Sequence, residues 1–295
     1  METVELLKKV RKVEIKSRGL SNQIFAGEYH SAFKGRGMAF SEVREYQAGD
    51  DIRAIDWNVT ARFNHPYVKV FEEEREMTVM LIVDVSASRE FGTQKQLKQD
   101  LVTELCATLA FSAIQNNDKI GIVFFSDKIE RFIPPKKGRG HILRIIRELI
   151  DFKAESKKTN IKLALQYFTT IIKKRSTVFL ISDFIENKTM GPFSFEDALK
   201  ITNRKHDLVA LKIIDKRELD IPSIGLVNFI DAESGVVKWI DTSDSEVRKN
   251  YHLEATIKAQ QLANVFIKNG IDFTTINTDE PYTKPLINLF KKRER

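Results

Sequence analysis

From about residue 78 to its end, the chain alternates short apolar runs with longer amphipathic runs. The apolar runs predict strands at 78–83, 119–125, 177–181, 208–214 and 272–276. The amphipathic runs predict helices at 94–116, 140–152, 160–174, 194–206 and 245–269. Strands that alternate with helices form a mostly parallel sheet covered on both faces. The sequence therefore predicts an α/β fold, a doubly wound, Rossmann-like sheet with helices on both faces.

Two segments interrupt this alternation, and a third precedes it. "KIERFIPPKKGRG" favours a strand that returns through a turn, and "GLVNFIDAESGVVKWID" favours a hairpin that turns near 233–235. Residues 2–16 predict a helix, whereas 19–75 are polar and aromatic without a clear helical period. We therefore expect an N-terminal helix and irregular/β arm in 1–77, followed by the α/β domain in 78–295.

Composition narrows the class of protein. The 295 residues are 42% hydrophobic, and the longest apolar run is shorter than the roughly 20 residues that a membrane span needs. The net charge of +7 is scattered among acidic residues, so solvated faces explain it better than a nucleic-acid site. The single cysteine, Cys106, lies on an apolar helix face, and the five histidines have no metal-ligand spacing. We expect a soluble cytoplasmic protein without nucleic-acid binding or direct membrane insertion.

The first strand of the α/β region ends in a cluster of oxygen-bearing side chains. Within "MLIVDVSAS", Asp84, Ser86 and Ser88 alternate just after the apolar run. Ligands of parallel sheets lie beyond the carboxyl ends of the strands, and hard oxygen donors suit Mg²⁺ or Mn²⁺. Later loops offer Thr159, with Glu155 as an alternative donor, and Asp183. The competing interpretation is that these are ordinary turn and capping residues.

This arrangement resembles the metal-ion-dependent adhesion site of von Willebrand factor A domains. That site combines Asp-x-Ser-x-Ser with a distant Thr and a distant Asp, which match Asp84, Ser86, Ser88, Thr159 and Asp183. The resemblance implies a von Willebrand factor A-like fold and a metal that leaves one coordination position for a partner's acidic residue. Thr159 follows "ESKK", where the family frequently has glycines.

The segment before residue 78 is similar to a second signature. "GDDIRAIDW", residues 49–57, resembles the run that precedes a von Willebrand A-like domain in the bacterial DUF58 family. The candidate residues of this segment are Arg44, Asp50, Asp51, Arg53, Asp56, Trp57 and Arg62. One interpretation is an arm pinned to the domain by carboxylate–guanidinium pairs around a buried Trp57. The other is a partner surface, since Trp and Arg are enriched at interface hot spots.

The residues give little support for catalysis. No histidine flanks the Ser86 and Ser88 loop, and no Gly-x-Ser-x-Gly elbow is present. We therefore expect a non-catalytic, metal-dependent protein-interaction module. The DUF58 resemblance implies that the partner is a MoxR-type AAA+ ATPase, a client protein, or both. The alternatives are a metal-dependent phosphoester hydrolase and a nucleic-acid-binding protein.

Overall fold

The computed structural model describes residues 3–25, 39–72, 77–86, 97–186, 193–230 and 237–293. The helices of this part of the chain are α1 (Thr3–Phe25), α2 (Trp57–Phe63), α3 (Lys98–Gln115), α4 (Arg139–Asp151), α5 (Ile161–Ile171), α6 (Glu196–Lys205), α7 (Ser245–Lys268) and α8 (Thr283–Arg293). The strands are β1 (Ala39–Glu45), β2 (Tyr67–Glu72), β3 (Thr78–Asp84), β4 (Lys119–Phe125), β5 (Ile129–Lys136), β6 (Thr177–Ser182), β7 (Asp207–Ile214), β8 (Leu226–Ile230), β9 (Val237–Asp241) and β10 (Asp272–Asn277).

A six-stranded sheet forms the centre of the α/β unit. Its order is β10-β7-β6-β3-β4-β5, and every pair is parallel except β4 with β5. All seven residues of the central strand β3 are buried, as expected for a strand covered on both faces. The five strands predicted for this region end within one residue of the observed bounds. The predicted α/β fold with a mostly parallel sheet is confirmed.

The two faces of the sheet carry separate apolar layers. On one face, Met80, Ile82 and Val178 belong to a core completed by residues of α5, α6 and α7. Alternate residues point to the other face, where Phe179 meets Phe290 of α8 and Phe124 stacks on Phe152 after α4. Burial on both faces explains why these strands read as continuous apolar runs rather than as alternating patterns.

Helix α3 begins later than its sequence pattern indicated. The apolar pattern predicts a start at residue 94, where Thr93 is a candidate N-cap, but Thr93 lies outside the described residues. In the described part the helix begins at Lys98, with Leu97 as its N-cap and without a side-chain cap. Leu97 is exposed. No helix among the described residues has both the length and the apolar character needed to cross a bilayer.

The chain separates into two compact units. Residues 33–77 form one, in which β1 and β2 pair antiparallel and α2 precedes β2. Residues 1–32 and 78–295 form the other. The N-terminal helix that the sequence grouped with the arm therefore lies in the α/β unit. It packs along α3, where Lys16 Nζ bonds Glu104 Oε2 at 2.5 Å and Ser21 Oγ donates to Gln115 Oε1 at 3.1 Å.

The chain reverses its direction of winding at the centre of the sheet. From β3 it continues to β4 on one side, and β6 later joins the other side of β3. In open α/β sheets, such a switch point leaves a crevice beyond the carboxyl ends of the two strands. The candidate metal-binding residues lie at this crevice.

Candidate metal-binding site

Four of the five predicted metal-site residues lie at the carboxyl end of the central strands, around the switch point. Asp84 ends β3 and Asp183 directly follows β6, and these strands are hydrogen-bonded neighbours with Val83 beside Ile181. Ser86 lies two residues after Asp84, and Thr159 directly precedes Asn160, the N-cap of α5. All four are buried. Ser88, the fifth predicted residue, lies outside the described residues.

Asp84 is a buried carboxylate whose two oxygens both accept hydrogen bonds. Its Oδ1 accepts from the backbone N–H of Ser86 at 3.0 Å, and its Oδ2 accepts from Ser182 Oγ at 2.7 Å. Burial, and next the negative charge of Asp183, raise the pKa of Asp84 to about 6, although the bonds from Ser86 and Ser182 oppose the rise. Burial and the neighbouring charge therefore disfavour the ionised form of Asp84 more than its hydrogen bonds favour it.

Asp183 is held by a buried lysine. Lys98 Nζ lies 3.2 Å from Asp183 Oδ2 and 2.5 Å from Glu218 Oε1, and the Lys98 side chain is only 3% exposed. Burial lowers the pKa of Lys98, but Asp183 and Glu218 outweigh this effect and raise it above its ordinary value. Asp183 Oδ1 accepts from the backbone N–H of Ile185 at 3.1 Å. Lys98 therefore stays protonated and joins the end of β6 to the turn after β7.

Thr159 is the unusual member of the group. Its Oγ1 is buried and has no hydrogen-bond partner among the described residues. A buried hydroxyl without a partner costs about 1–3 kcal/mol, so native structures rarely keep one without a reason. Glu155, the alternative donor in the sequence, lies at the surface and pairs with Lys128. Of these two, Thr159 is the buried donor that remains available.

The donor chemistry fits a hard divalent cation. Mg²⁺ and Mn²⁺ favour carboxylate and hydroxyl oxygens, which Asp84, Ser86 and Thr159 present. A cation would relieve the repulsion between Asp84 and Asp183 and would give the Thr159 hydroxyl an electrostatic partner. Within the described ranges, no three His, Cys, Asp or Glu side chains gather as a ligand cluster. The candidate site therefore depends on hydroxyl groups as much as on carboxylates.

In the 33–77 unit, the acidic residues of "GDDIRAIDW" have local structural roles. Arg44 makes two 2.7 Å bonds to the carboxylate of Asp50. Asp51 caps the short 3₁₀ turn Ile52–Ala54, and Asp56 caps α2 through the N–H groups of Asn58 and Val59. These hydrogen bonds give each of the three carboxylates a structural role, so none of them requires a bound ligand.

The other three candidate residues of this unit, Arg53, Trp57 and Arg62, face solvent. Trp57 is 68% exposed, so the buried Trp expected in the arm-anchoring interpretation is wrong. The physical reason is its position directly after the N-cap, on the first turn of a seven-residue helix in which no residue is buried. Arg53 and Arg62 are also exposed, and neither pairs with a carboxylate among the described residues.

Sequence reasoning missed three residues of the site: Ser182, Lys98 and Glu218. Ser182 could have been found, because it directly precedes Asp183 at a strand end. Lys98 and Glu218 had no local signal, since their bond joins positions 120 residues apart. Folding alone brings them together.

Comparisons with known proteins identify a matching family and a similar protein. A family model described as "Protein of unknown function DUF58" matches residues 42–261. An uncharacterised protein of Mycobacterium bovis is 27% identical over 289 residues, which are 97% of this chain and 89% of that protein.

Two solved structures are also similar in shape. One is the conserved hypothetical protein BatB of Bacteroides thetaiotaomicron, with 13% identity, coverage of 74% of this chain and 98% of that chain, and a TM-score of 0.47. The other is an aerotolerance-related membrane protein of Bacteroides fragilis, with 15% identity, coverage of 73% and 99%, and a TM-score of 0.48.

Proposed function

The chain belongs to the family described as protein of unknown function DUF58, and on this premise we propose that it is a non-catalytic protein-interaction module that uses a divalent metal ion. The observation that carries the proposal is the buried Thr159 hydroxyl, which has no hydrogen-bond partner in the described part of the chain and belongs to a group of candidate donors that includes two buried carboxylates. Such a group of donors is costly when empty and favourable around a cation.

We propose that Asp84, Ser86 and Thr159 hold the ion, with Ser88 as a further donor from the resemblance. Asp183 adds its negative charge while both of its oxygens accept hydrogen bonds. A Mg²⁺ or Mn²⁺ ion bound there would supply an electrophilic centre for an incoming carboxylate. Lys98 fixes the position of Asp183 from the side opposite to solvent, because its own side chain is buried.

The proposed role is non-catalytic because, in the described part of the site, neither carboxylate is paired with a histidine or with a nucleophile activated by a base. None of the side chains bonded to Asp84 or Asp183 is a histidine. Lys98 has a raised pKa and two carboxylate partners, so it does not release its proton near neutral pH.

The proposed partner is a MoxR-type AAA+ ATPase, or a client protein that it presents. This assignment comes from the resemblance to DUF58 proteins and from the chemistry of the site. A protein surface that offers one carboxylate would complete the metal's coordination. The protein would then act as an adaptor in the assembly or activation of a client.

Thermal unfolding in EDTA and in MgCl₂ tests the metal site. Mg²⁺ should raise the melting temperature of the wild type. At a concentration 100-fold above Kd, the free energy of unfolding should increase by about 2.7 kcal/mol. Asp84→Ala should remove this shift. Asp151→Ala, which changes an exposed carboxylate at the end of α4, should keep it.

The Thr159→Val variant tests whether Thr159 acts as a metal ligand or as a structural residue. Valine has nearly the same shape and lacks the unpartnered hydroxyl, so the variant should be more stable than the wild type in EDTA. It should also respond less to Mg²⁺. A Thr159→Val protein that is less stable in EDTA and responds fully to Mg²⁺ would contradict the proposed role.

Capture of a purified MoxR-type ATPase tests the partner. Binding should require a divalent metal and should be lost in Asp84→Ala. If binding persists in EDTA and in Asp84→Ala but disappears in Trp57→Ala or Arg53→Ala, the 33–77 unit is the recognition surface. Turnover of a generic phosphoester that depends on both Mg²⁺ and Asp84 would favour the hydrolase alternative.

A further inference from the structure

A second candidate site lies beside the metal crevice, between the carboxyl ends of β6 and β7 and helix α7. It is a cavity of about 520 Å³, within the range of pockets that hold small organic molecules. Small residues of α7 form part of its lining. Ala255 and Ala259 face it, whereas Leu262, Val265 and Phe266, further along the same helix, are buried in the core.

The wall of the cavity is mainly apolar and aromatic. Phe184 and Phe195 contribute rings whose centres are 6.1 Å apart, and Tyr251 projects from α7 four residues before Ala255. Phe184 has a φ of 60°, which is uncommon for a residue other than glycine. This left-handed turn directly after Asp183 places the Phe184 ring at the cavity. The space therefore suits a flat or branched apolar group.

The carboxylates that line the cavity and are not exposed already have partners. Asp183 and Glu218 share Lys98. Glu186 accepts hydrogen bonds from the Ile161 N–H at 3.0 Å and from Ser194 Oγ at 2.7 Å. Glu254, by contrast, lies at the exposed rim. These acidic groups do not leave a buried negative charge waiting for a ligand.

Lys212 differs from these groups. It lies on β7 at the cavity wall, it is half-buried, and no carboxylate of the described residues lies within salt-bridge distance of its ammonium group. Burial lowers the pKa of Lys212, and the positive charge of Lys98 lowers it further, while Glu218 and Asp183 oppose the change from a distance. A partly desolvated ammonium gains free energy from a directly bonded anion.

We propose that this cavity binds a monocarboxylate with an apolar body, with its carboxylate on Lys212 and its body among Phe184, Phe195 and Tyr251. The ligand is a free organic acid or the C-terminal residue of a peptide, since both present this chemistry. The site does not require the metal and goes beyond the interaction function proposed above.

Calorimetric titration with 4-phenylbutyrate, performed in EDTA, tests the proposal. The acid should bind roughly tenfold more tightly than its neutral analogue 4-phenylbutanamide, the difference expected for one charge-assisted hydrogen bond. Lys212→Gln should make the two compounds bind equally. Lys258→Gln, which removes an exposed lysine at the rim, should preserve the preference for the acid.

The cavity itself is tested by Ala255→Phe, which should weaken both compounds more than tenfold by filling the space. A peptide ending in a phenylalanine carboxylate and its amidated form distinguish the two sources. If only the peptide acid binds, the ligand is a chain terminus, and if 4-phenylbutyrate binds as tightly, a free acid suffices. Absence of binding by both acids, or equal binding of acids and amides to the wild type, would overturn the proposal. Because EDTA is present, these results are independent of the metal site.

Discussion

At the residue scale, the raised pKa of Asp84 has a clear consequence for the stability of the fold. Its pKa of about 6 means that folding opposes its ionised form above that pH. The folded pKa is raised above the ordinary value, so the penalty is present above pH 6 and disappears as the pH falls toward about 3.8. A shift of this size corresponds to at most about 3 kcal/mol near neutral pH.

Asp84→Asn should therefore stabilise the protein in EDTA at pH 7.5. The amide keeps an oxygen for the Ser86 N–H, and the Ser182 hydroxyl can reverse to accept from the amide nitrogen. The advantage over the wild type should shrink as the pH falls from 7 to 4. Urea unfolding at several pH values measures it, with Asp151→Asn as the exposed control. An advantage that stays constant with pH would show that the carboxylate charge is not its cause.

Residue-scale prediction from the sequence succeeded where side chains follow strand ends. Asp84 and Asp183 were found because parallel strands end at the same edge of a sheet. Thr159 was a candidate because it precedes a predicted helix, but only the folded structure shows that its hydroxyl is buried without a hydrogen-bond partner among the described residues. Lys98 could not be predicted, because nothing near it in the sequence indicates a buried lysine between two carboxylates that are far away in the chain.

At the scale of elements, the sequence pattern predicted the bounds of strands more accurately than the ends of helices. Strands β3, β4, β6 and β7 are almost wholly buried, and their bounds follow the apolar runs. The start of helix α3 at Lys98 was hard to predict, because its N-cap, Leu97, makes no side-chain cap bond that a sequence pattern could reveal. The 33–77 unit was harder, since its pairing of β1 with β2 spans a 3₁₀ turn and a seven-residue helix.

Helix α2 supports a prediction about Trp57. Because the indole is exposed, Trp57→Ala should change the free energy of unfolding by less than about 0.5 kcal/mol, as for most surface substitutions. Val68→Ala, at a buried position in β2 of the same unit, should cost roughly 1–3 kcal/mol. Denaturant unfolding of both variants makes the comparison. A loss of several kcal/mol in Trp57→Ala would restore the arm-anchoring interpretation.

At the scale of the whole molecule, the grouping of α1 is the main difference from the sequence-based division. Its first half predicted a helix, but nothing in its sequence showed which part of the chain it joins. In the structure, Ser17 and Ser21 are buried within the α/β unit, and Arg139 Nε of α4 donates to Glu14 Oε1 at 2.8 Å. Packing between segments that are distant in the chain leaves no periodic pattern in the sequence.

The position of α1 leads to a prediction with a matched control on the same helix. Val10 is buried, whereas Ile15 is 68% exposed. Val10→Asp should place an unpaired charge in the contact between α1 and the rest of the α/β unit, which costs several kcal/mol, and Ile15→Asp should cost little. Hydrogen exchange of the β3 and β4 amides reports the stability of this unit directly. Val10→Asp should accelerate exchange there, while Ile15→Asp should not. Unchanged exchange in Val10→Asp would mean that α1 contributes no stability to the sheet and that the α/β unit folds without it.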